Sequence, residues 1–331
     1  MNGKTTSVKG PVLYWMERDQ RLQDNWALIH AQNLALKAGV PLGVAFVLPK
    51  HFLDCTWRHY DFMLEGLKEL ELACKAKGFG FFLLLGEPDK LLPAFIEKHK
   101  ISHVVTDFSP LKLPRTWRET LAKQIEAPLE EVDAHNIVPC WLASNKQEFG
   151  AYTLRPKLHR LLPEFLEDFP ALRKHPHPWE TPKVDFDGAE AFVKVDRTVG
   201  PVSTFKSGEK AAHKALAHFL NVVLPMYAEG RNDPNQGAIS NLSPYFHFGQ
   251  LSPQRVALLT QDQESFFEEL VVRRELSDNF CLYNPHYDST QGFAHWAQET
   301  HMIHRQDPRE YLYSQEELEK AYAFTEEEAL A

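Results

Sequence analysis

The sequence has little cysteine: four residues in 331, Cys55, Cys74, Cys140 and Cys281, with no C-x-x-C pair. This excludes a disulfide framework and a cysteine zinc site, and it suits a reducing compartment. No apolar run approaches the roughly 20 residues that a bilayer-spanning helix needs. The longest stretches lie around Val40–Leu48 and Phe79–Leu85. The polar start, Met1 to Gly10, lacks the apolar segment of a secretory signal. The expectation is a soluble cytoplasmic protein with no membrane contact, nucleoid-associated if the source is prokaryotic. Positive charge is also in deficit. Against 45 Asp and Glu there are 36 Lys and Arg, for a net charge of −9. A globally basic nucleic-acid binder is excluded, although a local basic groove is not. The usual nucleotide signatures are missing as well. No G-x-G-x-x-G follows any strand, and Gly3-Lys4-Thr5 lacks the upstream glycine and strand of a P-loop.

What is present is an ordinary globular composition, 44% apolar and 24% charged. At about 100–200 residues per domain, the length suggests two domains. The first half alternates short apolar runs with amphipathic stretches. Val12–Met16, Pro41–Leu48, Phe79–Leu85, Ile101–Asp107 and Leu129–Asp133 read as strands. Trp26–Lys37, Arg58–Lys77, Pro88–His99 and Pro114–Glu126 read as helices, the first capped by Asp24 or Asn25 after the charged loop Glu17–Asn25. Continuous apolar strands separated by helices predict an α/β domain, a doubly wound parallel sheet over residues 1–136. Such sheets bind ligands outside the carboxyl ends of their strands.

Residues 137–206 read as a connector. Its stretch Leu161–Arg197 is rich in proline and charge, and His175 and His177 read there as solvated linker residues. From residue 207 to 331 the pattern is α-helical, with helices expected at Glu209–Phe219, Pro253–Leu259, Glu264–Phe280 and Gln315–Phe324.

Three segments of that half carry candidate chemistry. In Ser240-Asn241-Leu242-Ser243-Pro244, Ser243 reads as an N-cap and Pro244 as the first helical residue. The amide end of that helix suits a phosphate, though an ordinary capped helix explains the same residues. Tyr227 and Arg231 share a face if their segment is helical and could meet a ring and a phosphate; a helix end with a surface arginine is the plainer alternative. In Glu268–Phe280, Glu269 with Arg273 and Arg274 with Asp278 are spaced to pair. They read either as two surface ion pairs or as an acid and arginines that meet a base edge and phosphates. His301 and His304 have metal-ligand spacing, but nothing completes a site, so no metal is expected.

Together these segments resemble the class II cyclobutane pyrimidine dimer photolyases. The resemblance runs from about Val12 to Ala321. It rests on VLYWMERDQRLQDNWAL (Val12–Leu28), DFSPL (Asp107–Leu111), VDAHNIVPCW (Val132–Trp141) and AYTLRPKL (Ala151–Leu158). In the helical half it rests on YAEGRNDP (Tyr227–Pro234), SNLSPYFHFGQLSPQR (Ser240–Arg255), EELVVRRELSDNFCLYN (Glu268–Asn284) and YDSTQGFAHWA (Tyr287–Ala297).

The resemblance implies an antenna domain over residues 1–136, able to hold a deazaflavin- or folate-type chromophore, and a helical FAD- and DNA-binding domain from residue 207. Tyr227 matches the family's flavin-contacting tyrosine. Ile239, Ser240, Asn241, Leu242 and Ser243 match its flavin-phosphate loop. Arg231 matches a DNA-contacting position, Glu269 the acid that meets the flipped pyrimidine dimer, and Arg273 a position lining the same pocket. Arg274 is a phosphate contact on residue type. The implied activity is light-dependent repair of cyclobutane pyrimidine dimers in UV-damaged DNA by electron transfer from reduced FAD, with no obligate protein partner.

Class II photolyases continue well beyond the point that matches Ala321, so the resemblance also implies an incomplete helical domain. Between Pro201 and Glu310 there are nine Lys and Arg against thirteen Asp and Glu, a weak electrostatic footprint for a duplex. A cryptochrome-like or chromophore-binding protein without repair, and an inactive truncated photolyase, stay open as alternatives.

Overall fold

The computed structural model describes residues 1–5 and 9–320. The chain forms two compact units, Met1–Tyr283 and a second from Asn284 onward.

The first unit begins with the alternation read from the sequence: β1 Val12–Met16, α1 Trp26–Ala38, β2 Leu42–Leu48, α2 Trp57–Lys77, β3 Gly80–Leu85, α3 Pro88–Lys98, β4 His103–Asp107, α4 Lys112–Gln124 and β5 Leu129–Val132. The five strands pair in parallel in the order β3-β2-β1-β4-β5. Successive β1 side chains take opposite faces, as a pleated strand requires. Val12, Tyr14 and Met16 enter the core beneath α1 and α2, and Leu13 and Trp15 enter the core beneath α3 and α4. Both faces are therefore covered, which explains why β1 and β2 are apolar throughout. Asn25 caps α1 by accepting the Leu28 N–H at 3.1 Å, and Gly39 ends it in the left-handed conformation at φ 64°.

The helical half follows: α5 Cys140–Ala143, α6 Ala151–Phe165, α7 Phe186–Phe192, α8 Glu209–His218, a π-helical turn Phe219–Val223, α9 Leu224–Gly230, α10 Ser243–His247, α11 Pro253–Leu259, α12 Glu264–Phe267, a second π turn Glu268–Arg273 and α13 Arg274–Tyr283. Their core holds Leu154, Leu158 and Leu162 of α6 with Phe219, Tyr245, Val256, Val271 and Val272.

The stretch read as a linker is mostly exposed but is anchored at several points. Leu161–Phe165 completes α6, despite Pro156 and Pro163 within that helix. Phe186 and Ala189 of α7 and Val193 join the core beneath α2. His175 is buried, not solvated, and its Nε2 lies 2.8 Å from the Val40 carbonyl; His177 is exposed. Trp179 packs edge-on to Phe82, with ring centroids 4.9 Å apart. Gly43 and Gly80 make its seat, since a Cβ on either would come within 3.1 Å of the indole.

In the second unit, a 3-10 turn at Thr290–Gly292 precedes α14 His295–Ile303, and α15 is Gln315–Lys320. His301 stacks on Phe293, and His304 Nδ1 lies 2.6 Å from Asp307. The expected continuation of α15 to Phe324, and the acidic end Tyr322–Ala331, lie outside the described residues. No helix among the described residues is long and apolar enough to cross a membrane.

Candidate functional site

The charged loop Glu17–Asn25 is not a solvated surface. Asp19, Arg21 and Asn25 are fully or almost fully buried, at 0%, 1% and 0% exposure. The loop closes over the carboxyl ends of β1 and β4, where a ligand crevice was expected from the fold class. Asp107, the last residue of β4, accepts the backbone N–H groups of Glu17, Arg18 and Asp19 at 2.9, 2.9 and 3.0 Å, and the Tyr14 hydroxyl at 2.5 Å. Arg21 donates to Asp19, to the Gly249 carbonyl at 3.0 Å and to the Ala134 carbonyl at 2.7 Å. Arg18 makes a two-pronged pair with Asp278 of α13 at 2.7 and 3.0 Å. Asn136 Nδ2 then bridges Asp278 and Asp133, each at 2.9 Å.

Burial dominates the protonation of this network. It pushes Glu275 up to about 8 despite the adjacent Arg274, with Asp133 and Asp278 adding to the rise. Burial also raises Glu17 to about 7 and Asp107 and Asp133 to about 6. Asp278 goes the other way: burial opposes ionisation, but Arg18 outweighs it and holds the carboxyl well below the usual range.

Arg274 belongs to this network. It donates to the Leu270 carbonyl at 2.9 Å, the His135 carbonyl at 3.1 Å and Glu275 at 3.2 Å, and only 17% of its side chain is exposed. The expected surface pair of Arg274 with Asp278 is replaced by Arg18–Asp278, and the guanidinium is directed inward, away from any phosphate-facing surface.

A second cluster lies on α9, the residue after it and the second π turn. Tyr227 is half-buried, edge-on to Phe219 at 6.3 Å and to Phe266 at 5.1 Å. The Arg231 guanidinium lies 5.6 Å from the Tyr227 ring centre and donates to Glu269 at 3.0 Å and to the Ser265 carbonyl at 3.3 Å. Three residues singled out from the sequence, Tyr227, Arg231 and Glu269, are thus brought together, with Glu269 41% and Arg231 28% exposed.

The expected Glu269–Arg273 pair is not formed. Arg273 instead approaches Glu268 at 3.6 Å and is 55% exposed. The cause is the π turn, which widens the helix so that residues four apart no longer stack. The widened turn sends Leu270, Val271 and Val272, three consecutive residues, into the core. Sequence periodicity alone does not signal such a turn. The pair that it leaves to Glu268 comes from Arg155 of α6, which sequence reasoning missed. Arg155 Nε and Nη2 reach the two Glu268 oxygens at 3.0 and 2.7 Å.

Segment 239–243 leads into the short helix α10. That helix starts one residue earlier than expected: Leu242, not Ser243, is its N-cap, and Ser243 lies inside it. Leu242 is buried, whereas Ile239 and Asn241 are exposed. Asn241 holds a left-handed backbone at φ 55°, a conformation that asparagine tolerates better than most residues. The Ser240 hydroxyl lies 3.4 Å from the Leu242 N–H. Among the described residues, no group of three His, Cys, Asp or Glu is arranged to hold a metal ion.

Known proteins share this sequence and fold. The family description DNA photolyase matches residues 12–176. A deoxyribodipyrimidine photo-lyase of Potorous tridactylus is 49% identical over 321 residues, covering 93% of this chain and 60% of the relative. One of Arabidopsis thaliana is 44% identical, covering 94% of this chain and 67% of that protein. One of Methanothermobacter thermautotrophicus is 35% identical, covering 97% and 73%. This chain therefore spans about three-fifths of the length of the Potorous protein. In solved structures the fold resembles a Synechocystis cryptochrome, with a TM-score of 0.68, 18% identity, and coverage of 83% of this chain and 62% of that one. It also resembles a Sulfolobus tokodaii photolyase whose crystal structure holds two FAD molecules, with a TM-score of 0.66, 18% identity, and coverage of 83% and 60%.

Proposed function

The chain belongs to the DNA photolyase family, and we propose that it binds FAD and, in light, splits cyclobutane pyrimidine dimers in UV-damaged DNA. The observation that carries this reading is the meeting of Tyr227, Arg231 and Glu269 on one partly exposed surface. An aromatic ring, a cation and a carboxylate there can meet a flavin, a phosphodiester and a pyrimidine edge.

The residues suit the cofactor. Tyr227 is held rigidly by Phe219 and Phe266, yet remains half-exposed to receive an aromatic ligand. The left-handed turn at Asn241, with Ile239 and Asn241 exposed and Ser240 and Ser243 beside them, offers hydroxyl and amide donors to a diphosphate. Bound FAD supplies the light-absorbing electron donor, and the protein supplies binding, orientation and electrostatics.

Arg231 draws DNA phosphate toward the surface and holds Glu269 in place. Glu269 accepts hydrogen bonds from the N–H groups of a flipped dimer, whose weak stacking makes extrusion less costly than for an intact base. Exposed Arg273 lines the same approach. Arg274, turned inward, orders the surrounding backbone instead. The carboxyl ends of β1 and β4 are closed by the Asp19–Arg21–Asp107 network, so a deazaflavin- or folate-type antenna chromophore would sit elsewhere on the α/β region.

The deciding experiment is the near-UV and visible absorption spectrum of the purified chain, followed by illumination with dimer-containing DNA. A flavin band and loss of dimers are expected. A chain that takes up no flavin when mixed with FAD contradicts the proposal. Flavin uptake with a photoreaction but no dimer loss would favour the cryptochrome-like alternative.

A further inference from the structure

We propose that Arg155 is a positioning residue for Glu269, acting through Glu268; this deepens the reading of Glu269 as the group that meets the dimer and rests on it. Glu268 and Glu269 are adjacent, yet each is held by an arginine from a different part of the chain. Arg155 of α6 grips both Glu268 oxygens at 3.0 and 2.7 Å, while Arg231, after α9, holds Glu269 at 3.0 Å. Neighbouring side chains on one helical turn leave the backbone at a set angle, so fixing one constrains the direction of the next. Between Glu268 and Arg273 the backbone is a π turn, an uncommon form that persists where its surroundings hold it.

Two restraints act on it. Leu270, Val271 and Val272 anchor one side in the core, and the Arg155–Glu268 fork anchors the other. The fork is the kind of two-pronged pair that carries geometric specificity as well as energy, and it holds Glu268 in its ionised form. Without it, the turn can relax toward ordinary helical spacing. The partner then waiting for Glu269 is Arg273, four residues on, and Arg231 loses its carboxylate. Arg155 thus selects which arginine Glu269 faces.

The experiment uses the full chain, with Arg155→Ala and, as a second variant of unchanged size, Glu268→Gln. The first readout needs no ligand: hydrogen exchange of the Arg231 side-chain N–H groups, followed by NMR. Loss of the Glu269 bond should speed that exchange by about tenfold in both variants. The second readout is binding of a short oligonucleotide carrying one thymine cyclobutane dimer, against the undamaged oligonucleotide. Arg155→Ala should weaken dimer binding as much as Glu269→Ala does and leave undamaged binding alone. The double variant should be no weaker than Glu269→Ala.

Unchanged Arg231 exchange, or additive losses in the double variant, would overturn the role of Arg155. If Glu269→Ala itself leaves dimer binding intact, the reading of Glu269 fails, while the exchange measurement still decides whether Arg155 controls its direction. Should Arg155→Ala not fold, Glu268→Gln carries both readouts.

Discussion

Arg18 and Asp278 stand 260 residues apart in sequence and are joined by two hydrogen bonds of 2.7 and 3.0 Å. The pair ties the loop after β1 to α13, and so ties the sheet to the helical core. Asp278 also shares Asn136 with Asp133, so removing Arg18 would leave two buried carboxylates with one amide between them. Arg18→Ala should cost about 2–4 kcal/mol, at or below the level seen for breaking buried pairs, because Arg18 is 22% exposed. Lys4→Ala breaks a pair with Glu126, which is 93% exposed, and a bond to the Ile125 carbonyl at 2.8 Å, and should change stability by about 1 kcal/mol or less. Denaturant titration of the two variants would show the contrast; equal effects would refute it.

The sheet was legible because its signal is local. Apolar runs of five to eight residues between helices specify parallel strands, and β1 and the helix Pro253–Leu259 lie where the pattern puts them. The role of Glu17–Asn25 was not legible. Nine mostly polar residues read as a charged loop, and only partners far along the chain, such as Asp107, Gly249 and Asp278, draw them inside. The proline-rich stretch misled for a related reason. Proline marks irregular backbone, but Trp179 and Phe186 anchor that backbone through tertiary contacts that periodicity does not register.

Stability should fall as pH rises from about 6.5 to 8.5. Burial lifts Glu275 to about 8 and Glu17 to about 7. A group raised on folding stays protonated in the native state while the unfolded chain releases its proton. Its contribution is fully present below the unfolded value, near 4.3, and is lost as pH climbs through the folded value. His135, lowered to about 4 by burial, works in the opposite direction, but only below about 6.5. Thermal melts across this range should show the decline, and Glu275→Gln should flatten it. A wild-type melting temperature that rises toward pH 8.5 would contradict the assignment.

Gly249 should tolerate no side chain. Its φ is 63°, and a Cβ there would lie 2.2 Å from the Arg18 carbonyl oxygen and 2.5 Å from the Asp19 Cα, both backbone atoms that cannot rotate away. Its own carbonyl accepts from buried Arg21. Gly249→Ala should therefore cost about 3 kcal/mol or more, through strain and displacement of the loop. Gly150→Ala meets nothing within 4 Å and should be close to neutral. Urea midpoints of the two variants would test this, and similar midpoints would mean that the loop yields easily.

The candidate site was legible in its residues but not in its pairing. Tyr227, Arg231 and Glu269 were each named from the sequence, yet spacing pointed Glu269 at Arg273, and only the π turn turns it toward Arg231. That geometry separates two tasks. Tyr227 packs against Phe219 and Phe266, and Arg231 contacts both its ring and the Glu269 carboxylate. Tyr227→Ala should weaken flavin retention by about tenfold, since aromatic contact contributes about 0.5–1.5 kcal/mol beyond the area buried. Tyr227→Phe should keep most of it. Glu269→Gln should leave flavin content unchanged, because Glu269 is held by Arg231 and is no part of the Phe219–Tyr227–Phe266 ring cluster, and should slow dimer repair, because an amide presents one acceptor where the carboxylate presents two. Absorbance of the purified variants and dimer loss under light measure the two effects separately. If Glu269→Gln lost its flavin while Tyr227→Ala kept it, the assignments of the two residues would have to be exchanged.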